Sequence, residues 1–155
     1  MKISELLKKD FVHLDINVRT KDEAIQHVAQ LAKGHPFMGD FPTFCRAIYE
    51  RESSGSTSIG NGIAIPHART DQVKDMLLVV GRLTEGVKFD DGDTTSVRLI
   101  FLVGTPKRMV TDYLRLVGAL ARCLNNGELR EKLFTVPTPE ALVQEFINCE
   151  GRMLM

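Results

Sequence analysis

The chain has 155 residues, about 43% of them apolar, and its 20 Lys+Arg are matched by 20 Asp+Glu, so the formal net charge is zero. A neutral chain argues against bulk polyanion binding, which neutralised phosphates drive, and so against a nucleic-acid partner; a small local basic site stays open. At a prior of roughly 150 residues per domain the chain reads as one domain, residues 1–155, large enough to fold without a metal or disulfide staple.

Three cysteines, Cys45, Cys123 and Cys149, with no C-x-x-C pair, make neither a disulfide framework nor a zinc pattern and suit a reducing cytosol. The longest apolar runs, Met76 to Val80 and Leu99 to Val103, fall far short of the ~20 residues of a spanning helix. The N-terminus lacks the apolar core of a signal peptide. A soluble, cytoplasmic protein with no membrane insertion is expected.

In chain order, Val12, Leu14, Ile16 and Val18 alternate with polar residues, a period of two that predicts a strand with one buried face. Thr20-Lys21-Asp22-Glu23 has the capping-box form and opens a helix with Ile25, Val28, Ala29 and Ala32 inward, closed by Gly34. A second helix is predicted from Pro42 to Glu52, with Phe44, Ala47 and Ile48 inward. Residues 53–62 are small, polar and glycine-rich and read as a loop, after which Ile63 to Ile65 form a short strand ending at Pro66-His67. Met76 to Val80 and Val97 to Val103 are near-continuous apolar runs, as in strands covered on both faces. Asp90, Asp91 and Asp93 lie in a turn between them and lack the later Glu of a calcium loop. Beyond Pro106, Met109, Tyr113, Leu116, Val117, Leu120 and Leu124 share one helical face. Thr138-Pro139 then starts a last helix with Ala141, Leu142, Phe146 and Ile147 inward. Covered central strands between helices imply an α/β domain with helices on both faces.

Four histidines are the first candidates for chemistry. His13, His27 and His35 fall on polar faces or in a loop and read as solvated. His67 follows an apolar strand through a proline, beside a loop whose Gly60 and Gly62 allow backbone N–H groups to approach an anion. Ser56, Thr57 and Ser58 add hydroxyls there. Read from the residues alone, His67 is either a phosphohistidine beside a phosphate cradle or a structural histidine at a strand end. Arg51, at the end of the preceding helix, is either a bidentate phosphate ligand or a solvated cation favoured by the helix dipole. Arg69, Lys107 and Arg108 line the site or are simply exposed, and Cys45 and Cys123 read as small core residues. No Gly-Lys-[Ser/Thr] follows the loop and Gly60-x-Gly62 is no dinucleotide fingerprint, so no nucleotide cofactor and no metal are expected.

Arg51-Glu52, followed by Ser56-Thr57-Ser58-Ile59-Gly60-Asn61-Gly62-Ile63-Ala64-Ile65-Pro66-His67-Ala68-Arg69, closely resembles the signature of IIA domains of the bacterial phosphoenolpyruvate sugar phosphotransferase system. The match is to the fructose/mannitol class, which includes the nitrogen-regulatory IIA protein. Gly86 to Phe89, the Asp-rich turn, Val97 to Val103 with its Gly-x-Pro and the last helices agree in order, so the resemblance runs from about Ile3 to Ile147. It implies a mixed β-sheet flanked by helices, His67 as phosphoryl acceptor and Arg51 as the phosphate-stabilising cation. It also implies the phosphocarrier HPr or a paralogue as donor, and a IIB domain or a regulatory target protein as acceptor or reader. Tyr113 stands where this family usually carries a second histidine; a phenol donates one hydrogen bond but brings no positive charge. Three roles follow as alternatives: a nitrogen-regulatory IIA, favoured by the wording of the signature; a sugar-specific IIA serving fructose or mannitol uptake; and a binding module that is no longer phosphorylated.

Overall fold

In the computed structural model, which describes residues 2–92 and 95–153, the chain opens with a short helix (α1, Ile3–Leu6), a 3-10 turn and strand β1 (Val12–Ile16). Asp15 takes a left-handed backbone (φ 59°), and the register of β1 slips there. The strand therefore stops at Ile16, and Val18, expected on its buried face, is only half-buried. Helix α2 (Lys21–Lys33) starts as the sequence requires: the Thr20 hydroxyl oxygen accepts the Glu23 N–H at 3.2 Å, and Gly34 closes the helix. Helix α3 (Phe41–Ser53) begins one residue before Pro42, because Asp40 is its N-cap and accepts the Thr43 N–H at 3.2 Å.

The predicted loop at 53–62 is only partly a loop. Its second half is strand β2 (Ser58–Gly60), a hairpin partner of β3 (Ile63–Ala64); β4 (His67–Arg69) follows directly. The long strands are β5 (Leu77–Val87) and β6 (Val97–Thr105), antiparallel to each other. β1 lies parallel to β5, while β3 and then β4 lie parallel to successive parts of β6. The result is a six-stranded mixed sheet in the order β1-β5-β6-β3-β2, with β4 also on β6. Helices α4 (Val110–Leu124), α5 (Gly127–Thr135) and α6 (Pro139–Met153) complete the chain.

Alternation along the central strands divides the core in two. Leu78 and Val80 face α1, α4, α5 and α6, whereas Leu77 and Val79 face α2 and α3. Burial on both faces accounts for the unbroken apolar runs. Helix α5 was not anticipated: it buries only Leu129 and Leu133, and Asn126 caps it. Ile147, predicted inward, is 45% exposed, and Cys149 takes the inward position on α6. Cys123 is a core residue as expected, in contact with Cys149, whereas Cys45 is only partly buried. His35 is not simply solvated; it is half-buried between Phe11 and Phe37 and accepts the Phe37 N–H. Asp90 accepts the Gly92 N–H as a turn residue; Asp93 lies outside the described residues. Among the described residues no helix is long and apolar enough to cross a membrane.

At Gly81 of β5 the sheet meets α2 so closely that a Cβ would lie 2.5 Å from Val28 Cγ2 and 2.8 Å from Ile16 Cδ1. Gly81→Ala is expected to destabilise the fold by about 1–3 kcal/mol through overpacking. Denaturant titration reads this as a lower midpoint with unchanged slope.

Candidate active site

The site is assembled where α3 hands the chain to the hairpin. Arg51 sits in the last turn of α3, and its Nη1 donates to the Gly55 carbonyl at 2.8 Å, which turns the guanidinium toward the loop. The next residue, Glu52, points the other way and is buried. Its Oε1 accepts the Thr57 N–H at 3.0 Å and its Oε2 the Thr57 hydroxyl at 2.6 Å. Lys21 of α2 reaches the same carboxylate at 2.9 Å. Burial alone would raise the Glu52 carboxyl, but the bonds from Thr57 and Lys21 outweigh it and hold the group ionised, below its ordinary value.

After β2 the chain reverses through Gly60, Asn61 and Gly62, all left-handed (φ 85°, 57° and 80°). Only glycine adopts this backbone freely, and Asn is the side chain that tolerates it best. The Gly62 carbonyl accepts the N–H groups of Arg98 and Leu99, tying the turn to β6. β3, Ile65 and Pro66 then deliver His67 at the first position of β4, in register with Val103 of β6.

A cavity of about 180 Å³ brings Arg51, Ser56, Thr57, Ser58, His67 and Tyr113 together, with Ile59, Ile65 and Val117 as apolar walls. His67 Nδ1 lies 3.0 Å from the Ile65 carbonyl. A carbonyl can only accept, so Nδ1 carries the proton and Nε2 keeps a free lone pair. Burial is the largest influence on this imidazole and lowers its pKa from 6.5; the Ile65 bond opposes, Arg51 lowers it further and Glu52 raises it. The net result is a neutral ring at neutral pH, the nucleophilic form. Tyr113, in the first turn of α4, packs its ring against His67 with centroids 5.4 Å apart. Burial raises its phenol above 10, with Arg51 and Arg69 opposing, so it remains a hydrogen-bond donor.

The expected site residues thus divide. Arg51, Ser56, Ser58, His67 and Tyr113 share the cavity. Thr57 lines it too, but its N–H and O–H both go to Glu52, so it anchors the loop rather than offering a donor. Gly60 and Gly62 are not among the residues that line the cavity; their left-handed backbone forms the hairpin turn beside it. Arg69 is exposed and donates to the Lys107 carbonyl, and Arg108 donates to the Lys74 carbonyl, so both stand outside the cavity wall. Glu52 was given no role from the sequence, although it adjoins Arg51 in the signature.

The site thus sets a neutral imidazole with Nε2 unprotonated beside a cation and hydroxyls, on a mixed sheet covered on both faces. The family model described as "Phosphoenolpyruvate-dependent sugar phosphotransferase system, EIIA 2" matches residues 5–149, and the chain belongs to that family. It is 31% identical over 140 residues to the fructose-specific EIIA component of Haloferax volcanii, covering 90% of this chain and 91% of the relative. It is likewise 31% identical over 132 residues to the nitrogen regulatory protein of Pseudomonas aeruginosa, covering 85% and 86%. It matches the fructose-specific EIIABC component of Bacillus subtilis at 31% identity over 96% of its own length, but spans only 23% of that longer protein. Among solved structures, the nitrogen regulatory protein IIA-Ntr of Neisseria meningitidis superposes with a TM-score of 0.86 at 29% identity, covering 93% and 98% of the two chains. IIA mannitol of Escherichia coli shares the fold (TM-score 0.79, 21% identity, 90% and 98% covered).

Proposed function

We propose that this chain, residues 1–155 as one domain, is a cytoplasmic phosphohistidine carrier that accepts a phosphoryl group on His67 Nε2 from phosphorylated HPr or a paralogue. The observation that carries this reading is the His67 Nδ1–H bond to the Ile65 carbonyl, which leaves Nε2 as the nucleophile in a cavity shared with Arg51. The Nε2–P bond forms as the donor's N–P bond breaks, and the donor imidazole departs with the bonding electron pair. The His67 proton stays on Nδ1, hydrogen-bonded to the Ile65 carbonyl, which disperses the positive charge that develops on the ring. The transition state is loose and spreads charge over three equatorial oxygens, so positioning and electrostatics do most of the work. Arg51 supplies the fixed cation; the hydroxyls of Ser56 and Ser58 and the Tyr113 phenol supply neutral donors.

Apolar side chains are exposed on the elements that form the cavity: Ile59, which lines it, is 49% exposed, and Val110 and Leu114, on the helix α4 that supplies Tyr113, are 39% and 62% exposed. This face suits a partner protein that must bring its own histidine to within bonding distance of His67. Downstream, the regulatory reading, in which the phosphorylation state is read by a target protein, is supported by the likeness to the Neisseria and Pseudomonas nitrogen regulatory proteins. The sugar-specific reading, with a IIB domain as acceptor, is supported by the Haloferax fructose-specific relative.

Incubation with phosphoenolpyruvate, enzyme I and HPr tests the function. Intact-protein mass spectrometry is expected to show one added phosphoryl group, and a protein that stays unlabelled is a binding module instead. Adding a fructose-type IIB discriminates the two roles: drainage of the label supports sugar transport, and a persistent label supports regulation. Tyr113→Phe is expected to slow labelling about three- to tenfold, the worth of one neutral hydrogen bond, without changing the labelled site.

A further inference from the structure

We infer that Glu52 is a positioning residue for the His67 imidazole, acting through an unbroken hydrogen-bonded chain that runs from Glu52 through Thr57 and Ile65 to His67. The inference rests on the reading of His67 as the phosphoryl acceptor and adds the device that fixes which ring nitrogen reacts. Each link is present: the Thr57 N–H donates to Glu52 Oε1 at 3.0 Å, the Ile65 N–H donates to the Thr57 carbonyl at 3.0 Å, and His67 Nδ1–H donates to the Ile65 carbonyl at 3.0 Å. The Thr57 hydroxyl closes a second bond to Glu52 at 2.6 Å, so Thr57, whose carbonyl holds Ile65, is clamped through both its side chain and its backbone N–H.

The far end is fixed as firmly. Lys21 Nζ holds Glu52 Oε1 at 2.9 Å and donates to the Phe89 carbonyl at 3.0 Å, with its ammonium 5.1 Å from the centre of the Phe89 ring. The Glu52 side chain is only 5% exposed. The carboxylate therefore ties α3 to α2 and, through Lys21, to the segment just after β5, and carries that rigidity to the segment preceding His67. Neither Glu52 nor Lys21 lines the cavity, so neither contacts a phosphoryl group there. Displacement of Thr57 would move Ile65 and release the Nδ1 proton, and a ring free to exchange tautomers presents the wrong nitrogen part of the time.

Two variants separate reach from charge. Glu52→Gln keeps the side-chain length and an oxygen for the Thr57 N–H but removes the charge. Glu52→Asp keeps the charge but falls one methylene short of Thr57. Both leave Lys21 a polar partner. The ring tautomer is read by 15N NMR of the full chain at a pH where His67 is neutral, and the consequence by the initial rate of labelling from phosphorylated HPr. Wild-type protein and Glu52→Gln are expected to hold the Nδ1–H tautomer and to label at rates within about threefold of each other. Glu52→Asp is expected to show both tautomers and to lose about tenfold in maximal rate with the donor KM unchanged. A single tautomer in Glu52→Asp, or a loss in Glu52→Gln as large as in Glu52→Asp, overturns the inference. The tautomer is read without any phosphoryl donor. Failure of the wild-type protein to label while the tautomer ranking holds would therefore contradict the proposed function alone. Labelling with no tautomer change in either variant would contradict this inference alone.

Discussion

His67→Ala is expected to take up no phosphoryl group from phosphorylated HPr while keeping the fold of the parent chain. The fold survives because the ring makes one hydrogen bond, to the Ile65 carbonyl, and packs on Tyr113, while the strand that carries it is held by β6 through its backbone. Activity is lost because no other imidazole reaches the cavity. His13 of β1 and His27 of α2 lie 3.3 Å from each other, His35 is lodged between two phenylalanines, and none of the three lines the cavity. The pH dependence follows the same group. Protonated Nε2 has no lone pair, so the labelling rate is flat above the His67 pKa and falls as acid protonates the ring. Because burial sets that pKa below 6.5, the fall occurs at more acid pH than for a free imidazole. Initial rates measured across about pH 5 to 8 check this, and a midpoint above the free-imidazole value would contradict the geometry.

The second large effect is expected at Arg51. A guanidinium presents five N–H donors in a planar fork, and the Gly55 carbonyl occupies one edge at Nη1. The remaining donors are oriented in advance toward the cavity, where charge develops on the transferring group. Removing such a preorganised donor costs about 10²–10³ in rate, and Arg51→Gln is expected to fall in that range. Arg51→Lys keeps the charge but loses the fork, so an intermediate loss of about tenfold is expected. An independent readout accompanies the rate. Arg51 lowers the His67 pKa, so Arg51→Gln raises it, and the NMR titration of the His67 ring moves to higher pH. A slowed variant with an unmoved titration would place Arg51 away from the imidazole.

Much of this arrangement is legible in the chain, and the parts that are not have physical reasons. Leu99 to Val103 announces a strand because both faces of β6 are covered, and Thr20 with Glu23 announces the start of α2 because a cap is a local interaction. Helix α5 is hidden because Leu129 and Leu133 are its only buried residues, too few to set a period. On α6, Leu142, Phe146, Cys149 and Glu150 share the inward face, which leaves Ile147 one position off it. Glu150 is buried because it accepts the N–H groups of Ile3 and Ser4, a partnership across almost the whole chain that no local pattern reveals.

The site divides in the same way. His67 and Arg51 are readable because the Pro-His strand end and the helix terminus are local features. Gly60 and Gly62 are ambiguous, since a left-handed turn and a close approach to an anion both select glycine, and here the turn is what they form. Thr57 looks like a donor until Glu52 is seen to consume both of its hydrogens. Glu52 carries no local signal, because the lysine that neutralises it comes from another helix.

The most direct test is 15N NMR of the phosphorylated 155-residue chain with isotope-labelled histidines, prepared by transfer from phosphorylated HPr. One ring, that of His67, is predicted to show phosphorus coupling to Nε2 while its Nδ1 remains protonated. Phosphorus on Nδ1 of His67, or on His13, His27 or His35, would contradict the account.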